Sequence, residues 1–243
     1  MNDAPKAPVI QRVRHELKRR ELEVAAVEHL GPGFVSITFK AEELADFVSM
    51  SFDDHVKFFF DDGGDEPVRR DYTPRRFSNE ARTLSVEFAL HGHGHASEWA
   101  RNAVVGQRVA IGGPRGSMIV PLEFDWHLLV GDSTALPAIS RRLEELPAGQ
   151  RAFVIVLADS ADRRELTSRA QVDVKWADTA DALVAALQAL DPPSGTGFAW
   201  GGGEAQAMAR VRQVLNDKGQ PRELTRVSAY WKQGVADHHE TLE

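Results

Sequence analysis

The chain of 243 residues has no cysteine and a formal net charge of -7 at pH 7, and its length accommodates two domains of about 100 to 150 residues each. The missing thiols exclude disulfides, thiolate zinc sites, iron–sulfur clusters and cysteine nucleophiles, so redox chemistry here needs an organic cofactor or a metal held by His and carboxylates. The acidic balance speaks against general nucleic-acid affinity but leaves room for a local basic patch.

Met1 to Arg20 alternates small and basic residues without the apolar stretch of about 7 to 15 residues that a secretory signal requires. Apolar runs such as Val154 to Ala158 fall far short of the roughly 18 residues of a membrane helix. The expected compartment is the cytoplasm. From Leu22 to Val120 apolar residues recur at every second position: Leu22, Val24 and Ala26; Val35, Ile37 and Phe39; Val56, Phe58 and Phe60; Leu84, Val86 and Phe88. Turn clusters at Gly31-Pro32-Gly33 and Asp61 to Gly64 separate these runs. Such alternation predicts antiparallel strands with one buried face, forming a small barrel or sandwich.

After Pro121 apolar strands alternate with segments of helical period. Strands are predicted at His127 to Gly131, Phe153 to Ala158, Val172 to Trp176 and Phe198 to Gly201, and helices at Ala135 to Glu145, Asp181 to Leu190 and Glu204 to Asn216. Repeated βα units predict a parallel sheet covered by helices, with ligands beyond the carboxyl ends of its strands. The predicted fold is two-domain β plus α/β: an antiparallel β-barrel over residues 1–122, then a parallel-sheet nucleotide-binding domain over 123–243 with a C-terminal tail.

Several segments carry chemistry. Arg70-Asp71-Tyr72-Thr73 supplies a cation for a pyrophosphate, an aromatic ring for an isoalloxazine and a polar group for flavin nitrogens, and extended alternation puts Arg70 and Tyr72 on one face. A solvated basic strand would show the same residues. In His91-Gly92-His93-Gly94-His95-Ala96-Ser97-Glu98-Trp99, glycines and a serine at a helix start suit a pyrophosphate. The three alternating imidazoles there also admit metal ligation, although the Asp-His pair of metallo-β-lactamase-fold hydrolases is missing. Gly131-Asp132-Ser133-Thr134-Ala135 and Gly201-Gly202-Gly203-Glu204 each follow a strand and open a helix, as nucleotide-binding turns and ordinary helix caps both do.

On Arg70, Tyr72, Thr73 and Arg75, which meet the pattern Arg-x-Tyr-Thr-x-Arg, the chain resembles the siderophore-interacting protein family of FAD-dependent ferric-siderophore reductases, related to ferredoxin-reductase-like flavoproteins. Further landmarks run in order from His55-Val56-Lys57 to Tyr230-Trp231. The resemblance implies FAD held by Arg70, Tyr72, Thr73, Arg75, His91, Gly94, Ala96, Ser97 and Trp99. It implies NADPH or NADH received as electron donor at Gly131, Asp132, Thr134, Ala135, Gly203 and Glu204. A basic triad of Lys57, Arg115 and Lys232 is implied to draw in the ferric siderophore, with no acid–base catalyst and no protein-bound metal.

His95 stands where the family commonly has proline, so the local backbone is where a departure is expected. Trp231 is expected mainly to pack, Lys232 to be exposed and the tail Asp237-His238-His239 to be solvated. Arg163 and Arg164 stand where they could meet a 2′-phosphate or merely face solvent. The rival readings are a His-ligated metal hydrolase and a non-catalytic protein that carries siderophore or nucleotide.

Overall fold

The protein is described by a computed structural model over residues 8–61, 63, 67–90, 94–234 and 240–242. The chain forms two compact units, one of Gln11–Ile119 and one of Val120 onward together with the described residues before Gln11. The first unit contains β1 (Gln11–Arg14), β2 (Arg19–His29), β3 (Phe34–Lys40), β4 (Val56–Phe60), β5 (Val68–Tyr72), β6 (Arg76–Ser78), β7 (Thr83–Ala89), α1 (His95–Arg101), β8 (Arg108–Gly112) and β9 (Gly116–Ile119). Seven of these strands form one antiparallel sheet in the order β5-β4-β8-β2-β3-β7-β6, and β1 pairs with β9 in a separate ribbon.

The alternation read from the sequence is the packing. Val35, Ile37, Phe39, Val56, Phe58, Phe60, Leu84, Val86 and Phe88 have no exposed surface, and the Phe58 ring lies 5.5 Å from Phe39 and 5.5 Å from Phe88. Burying each such ring stabilises the fold by roughly 2 to 3 kcal/mol relative to leaving it in water. A register shift between Val24 and Ala26 bends β2. The expected antiparallel barrel is a curled half-barrel, with β5 and β6 as its edges among the described residues. Pro74 lies between them without an N–H to donate, and the N–H of Arg75 goes to Ser85 of β7 at 2.9 Å.

The second unit contains β10 (Trp126–Asp132), α2 (Leu136–Glu145), β11 (Arg151–Leu157), β12 (Gln171–Ala177), α3 (Ala180–Gln188), β13 (Gly197–Glu204), α4 (Ala205–Asp217), β14 (Thr225–Trp231) and β15 (Glu240–Leu242). The strand order is β12-β11-β10-β13-β14-β15, parallel except for β15, which adds antiparallel to β14. Every residue of β10 is buried, as a strand covered on both faces requires. Leu183 and Leu187 of α3 and Met208, Val211 and Leu215 of α4 pack with Leu128, Val130 and Ile155 of the sheet.

Connections run from β10 outward to β12 and then return to β13 on the other side, so the order reverses between β10 and β13. That reversal opens a crevice at the carboxyl ends of the two strands. Beside the same sheet, Arg142 of α2 is buried and donates to the Pro121 carbonyl at 2.7 Å, with His127 Nδ1 3.5 Å away. Burial, followed by the nearby Arg142 charge, pushes the His127 imidazole down to about 3.

Candidate functional site

In the first unit, β5 lies antiparallel to β4 with Val56 opposite Tyr72, Lys57 opposite Asp71 and Phe58 opposite Arg70. Directly opposed residues share a face, so Arg70 and Tyr72 do lie together, while Lys57 and Asp71 occupy the other face. The Tyr72 ring sits 5.4 Å from Phe58 and 4.3 Å from Phe88 at the margin of the core. Burial raises its phenol above the ordinary value, the nearby Arg70 charge opposing this only in part, so Tyr72 stays uncharged.

Thr73 and Arg75 are buried. Arg75, expected to contact a cofactor, donates from Nε to Glu87 Oε1 at 3.0 Å, both side chains being only 8% exposed. It ties the segment after β5 to β7, a positioning role that the motif alone does not disclose.

Gly94 precedes α1 with extended backbone, φ -72 and ψ 146, and a Cβ built there would meet nothing within 4 Å. His95 is the first helical residue, a position that also accepts proline, so its departure from the family pattern leaves the helix start intact. Its Nε2 is buried and has no hydrogen-bond partner among the described residues, which leaves an unsatisfied polar atom at this turn for a polar ligand to meet. Ala96 and Ser97 are buried in the first turn of the helix. Trp99, expected among the cofactor contacts, is partly buried and packs on the core, 5.1 Å from Phe60 and 6.0 Å from Phe88. His91 and His93 lie outside the described residues, and among those described no three metal-binding side chains converge.

The three expected substrate cations differ in environment. Lys57 Nζ is 2.8 Å from Asp71 Oδ1. Arg115 is exposed in the turn from β8 to β9, where Gly113 holds a φ of 96. Lys232 is exposed immediately after β14.

In the second unit the two glycine turns meet at the switch point, Gly131 of β10 standing opposite Gly202 of β13. A Cβ on Gly131 would lie 2.4 Å from the Gly202 carbonyl oxygen and 2.5 Å from the Ala135 Cβ, so only glycine fits. Asp132 is buried, and its carboxylate organises the turns. Oδ1 accepts the Thr134 N–H at 2.9 Å, and Oδ2 accepts the Glu204 N–H at 2.7 Å and the Trp231 indole N–H at 2.9 Å.

Glu204 caps α4 by accepting the N–H groups of Gln206 at 2.6 Å and Ala207 at 3.0 Å. Both turns therefore satisfy helix-start N–H groups with their own carboxylates, which rigidifies the crevice. Trp231, expected mainly to pack, is also a hydrogen-bond donor. Arg163 pairs with Asp178 and donates from Nε to the Ala158 carbonyl at 3.2 Å. Asp237, His238 and His239 lie outside the described residues.

A curled antiparallel sheet followed by a parallel sheet with paired turns at its switch point is the ferredoxin-reductase-like flavoprotein fold. The ferredoxin reductase in carbazole 1,9a-dioxygenase shares it with a TM-score of 0.69 at 19% identity, over 88% of this chain and 68% of that one. Residues 23–68 and 61–118 match the siderophore-interacting FAD-binding domain, and residues 124–234 match the siderophore-interacting protein family. The chain belongs to that family and is a flavoprotein that binds FAD. It is 32% identical over 254 residues to an NADPH-dependent ferric-chelate reductase of Escherichia coli (strain K12), covering 95% of this chain and 99% of the relative. A siderophore utilization protein from T. fusca has a TM-score of 0.88 at 32% identity, over 94% of this chain and 98% of that one.

Proposed function

We propose that this protein uses NADPH and bound FAD to reduce ferric siderophores, releasing Fe(II). The observation that carries the reading is the near end-to-end likeness to an NADPH-dependent ferric-chelate reductase, in a chain whose FAD-binding domain precedes a switch-point nucleotide fold. FAD, when bound, supplies acceptance of a hydride from reduced nicotinamide and delivery of single electrons to Fe(III). Hard-oxygen siderophores hold Fe(II) far more weakly than Fe(III), so reduction amounts to release.

The chain's own part is binding, orientation and electrostatics. We assign Arg70, Tyr72, Thr73 and the turn from Gly94 to Ser97, together with His91, to holding FAD. The open space at Gly94 and the unsatisfied His95 Nε2 fit a phosphate-bearing ligand there. Arg75 and Trp99 act behind this surface by fixing the strand and helix that present it. Gly131, Thr134 and Ala135 receive the nicotinamide nucleotide, with Gly203 and Glu204 toward its nicotinamide end. Asp132 holds the two turns together. Lys57, Arg115 and Lys232 supply positive charge toward the siderophore in an otherwise acidic protein. No protein nucleophile or acid–base catalyst is assigned, and the proposed compartment is the cytoplasm, where reduced nicotinamide is made.

Colour tests the reading. Purified protein should be yellow, bleach on addition of NADPH and regain colour with a ferric siderophore while a ferrous chelator traps the released iron. Protein that cannot be loaded with FAD overturns the reading. Flavoprotein that neither NADPH nor NADH bleaches favours the non-catalytic carrier.

A further inference from the structure

Resting on the proposed role of Lys57, we propose that Asp71, the variable residue of the Arg-x-Tyr-Thr run, sets which ferric siderophores this protein reduces by holding the Lys57 ammonium and cancelling its charge. Lys57 and Asp71 are directly opposed in the β4–β5 register, Nζ 2.8 Å from Oδ1, with side chains 33% and 17% exposed. Oδ1 has negligible accessible surface and accepts no well-aligned hydrogen bond. The tie is therefore a charge contact without directional anchoring, in a partly desolvated setting where attraction exceeds its value in open water.

On its other side Lys57 stands opposite Gly112, the last residue of β8, where the ring of Phe59, on the same face of β4 as Lys57, fills the space a Cβ would take. The family resemblance presents Lys57, Arg115 and Lys232 as three cations for an anionic complex. Arg115 and Lys232 are exposed, whereas Lys57 is half of a neutral pair.

The consequence is selectivity by charge. Catecholate groups each bring two negative oxygens to iron and give strongly anionic complexes, whereas hydroxamates each bring one and give neutral ones. With Lys57 neutralised, a ferric catecholate gains less from this surface, and a ferric hydroxamate loses nothing. Asp71 thus shifts the protein toward neutral ferric hydroxamates. It acts through Lys57 and is a positioning residue.

The test compares KM for ferric enterobactin, an anionic catecholate, with KM for ferrichrome, a neutral hydroxamate, in the FAD-loaded protein at low ionic strength. Asp71→Asn should lower the ratio of ferric enterobactin to ferrichrome KM about fivefold, with kcat little changed, and added salt at about 0.5 M should erase the shift. Lys57→Gln should raise the same ratio.

If Lys57→Gln raises the ratio but Asp71→Asn leaves it unchanged, the role of Asp71 is overturned while the role of Lys57 stands. If Lys57→Gln changes nothing, the assignment of Lys57 itself falls and takes the inference with it. Asp71→Ser is measured in parallel. Loss of flavin absorbance in both Asp71 variants would make the carboxylate structural and overturn the inference.

Discussion

The Trp231 indole N–H donates to Asp132 Oδ2 at 2.9 Å, joining the last residue of β14 to the last residue of β10. The same oxygen accepts the N–H of Glu204 at the end of β13, so one carboxylate ties three adjacent strand ends of the parallel sheet.

Trp231→Phe removes the donor and keeps an aromatic side chain, though a smaller one. The expected cost is about 1.5 to 3 kcal/mol, as for a hydrogen bond to a buried charged group. Urea unfolding should register that loss, and KM for NADPH should rise severalfold with flavin content unchanged. A variant matching the parent in both would show the tie to be idle.

Gly131 and Gly94 make a contrasting pair. Gly131→Ala forces a methyl to within 2.4 Å of a backbone oxygen, so the sheet must shift, at an expected cost of about 1 to 3 kcal/mol or more. Gly94→Ala meets open space and an ordinary backbone conformation, so stability should change by less than about 0.5 kcal/mol. If FAD phosphate approaches Gly94 as proposed, the same methyl should weaken FAD binding about tenfold. Thermal unfolding and FAD titration of the apoprotein separate the two effects, and unaltered FAD affinity would place the phosphate elsewhere.

Tyr72 is expected to act through its ring. Tyr72→Phe should retain FAD, because it keeps the ring and its contacts with Phe58 and Phe88. Tyr72→Ala loses the contacts with Phe58 and Phe88, with an expected cost of about 3 kcal/mol, and should lose flavin during gel filtration. Flavin loss from Tyr72→Phe as well would assign the hydroxyl a part.

His127 predicts a pH dependence of stability. Its imidazole titrates near 6.5 when unfolded and is pushed down to about 3 when buried beside Arg142, so between these values the unfolded chain binds the extra proton. The stability contribution is therefore complete above about pH 6.5 and is lost as pH falls toward 3, at up to about 1.4 kcal/mol per pH unit. Between pH 7.5 and 5.0 the loss should be about 2 kcal/mol by urea unfolding. His127→Gln, which does not titrate, should flatten that slope, and an unchanged slope would assign it to other groups.

Much of this molecule was legible in one dimension. The alternation through Val35, Ile37 and Phe39 and its counterparts places the buried face of the first sheet, because a strand repeats every second residue whatever it pairs with. The βα grammar after Pro121 likewise marks the parallel sheet. β14 was harder to read, since Val227, Ser228 and Ala229 are buried in succession without alternation. Edge strand β15 and the β1–β9 ribbon are too short to announce themselves.

What the sequence determined by itself is local: the period of each strand and helix, the types of residue in each motif, and through them membership of a flavoprotein family. What only the tertiary structure decided is pairing. Register set Asp71 opposite Lys57, brought Glu87 to Arg75, opened the sheet at Pro74 and carried Trp231 to Asp132. Each partner lies beyond the reach of a local pattern, and whether a charge faces a ligand or is neutralised depends on which side chain folding places within a few ångströms of it.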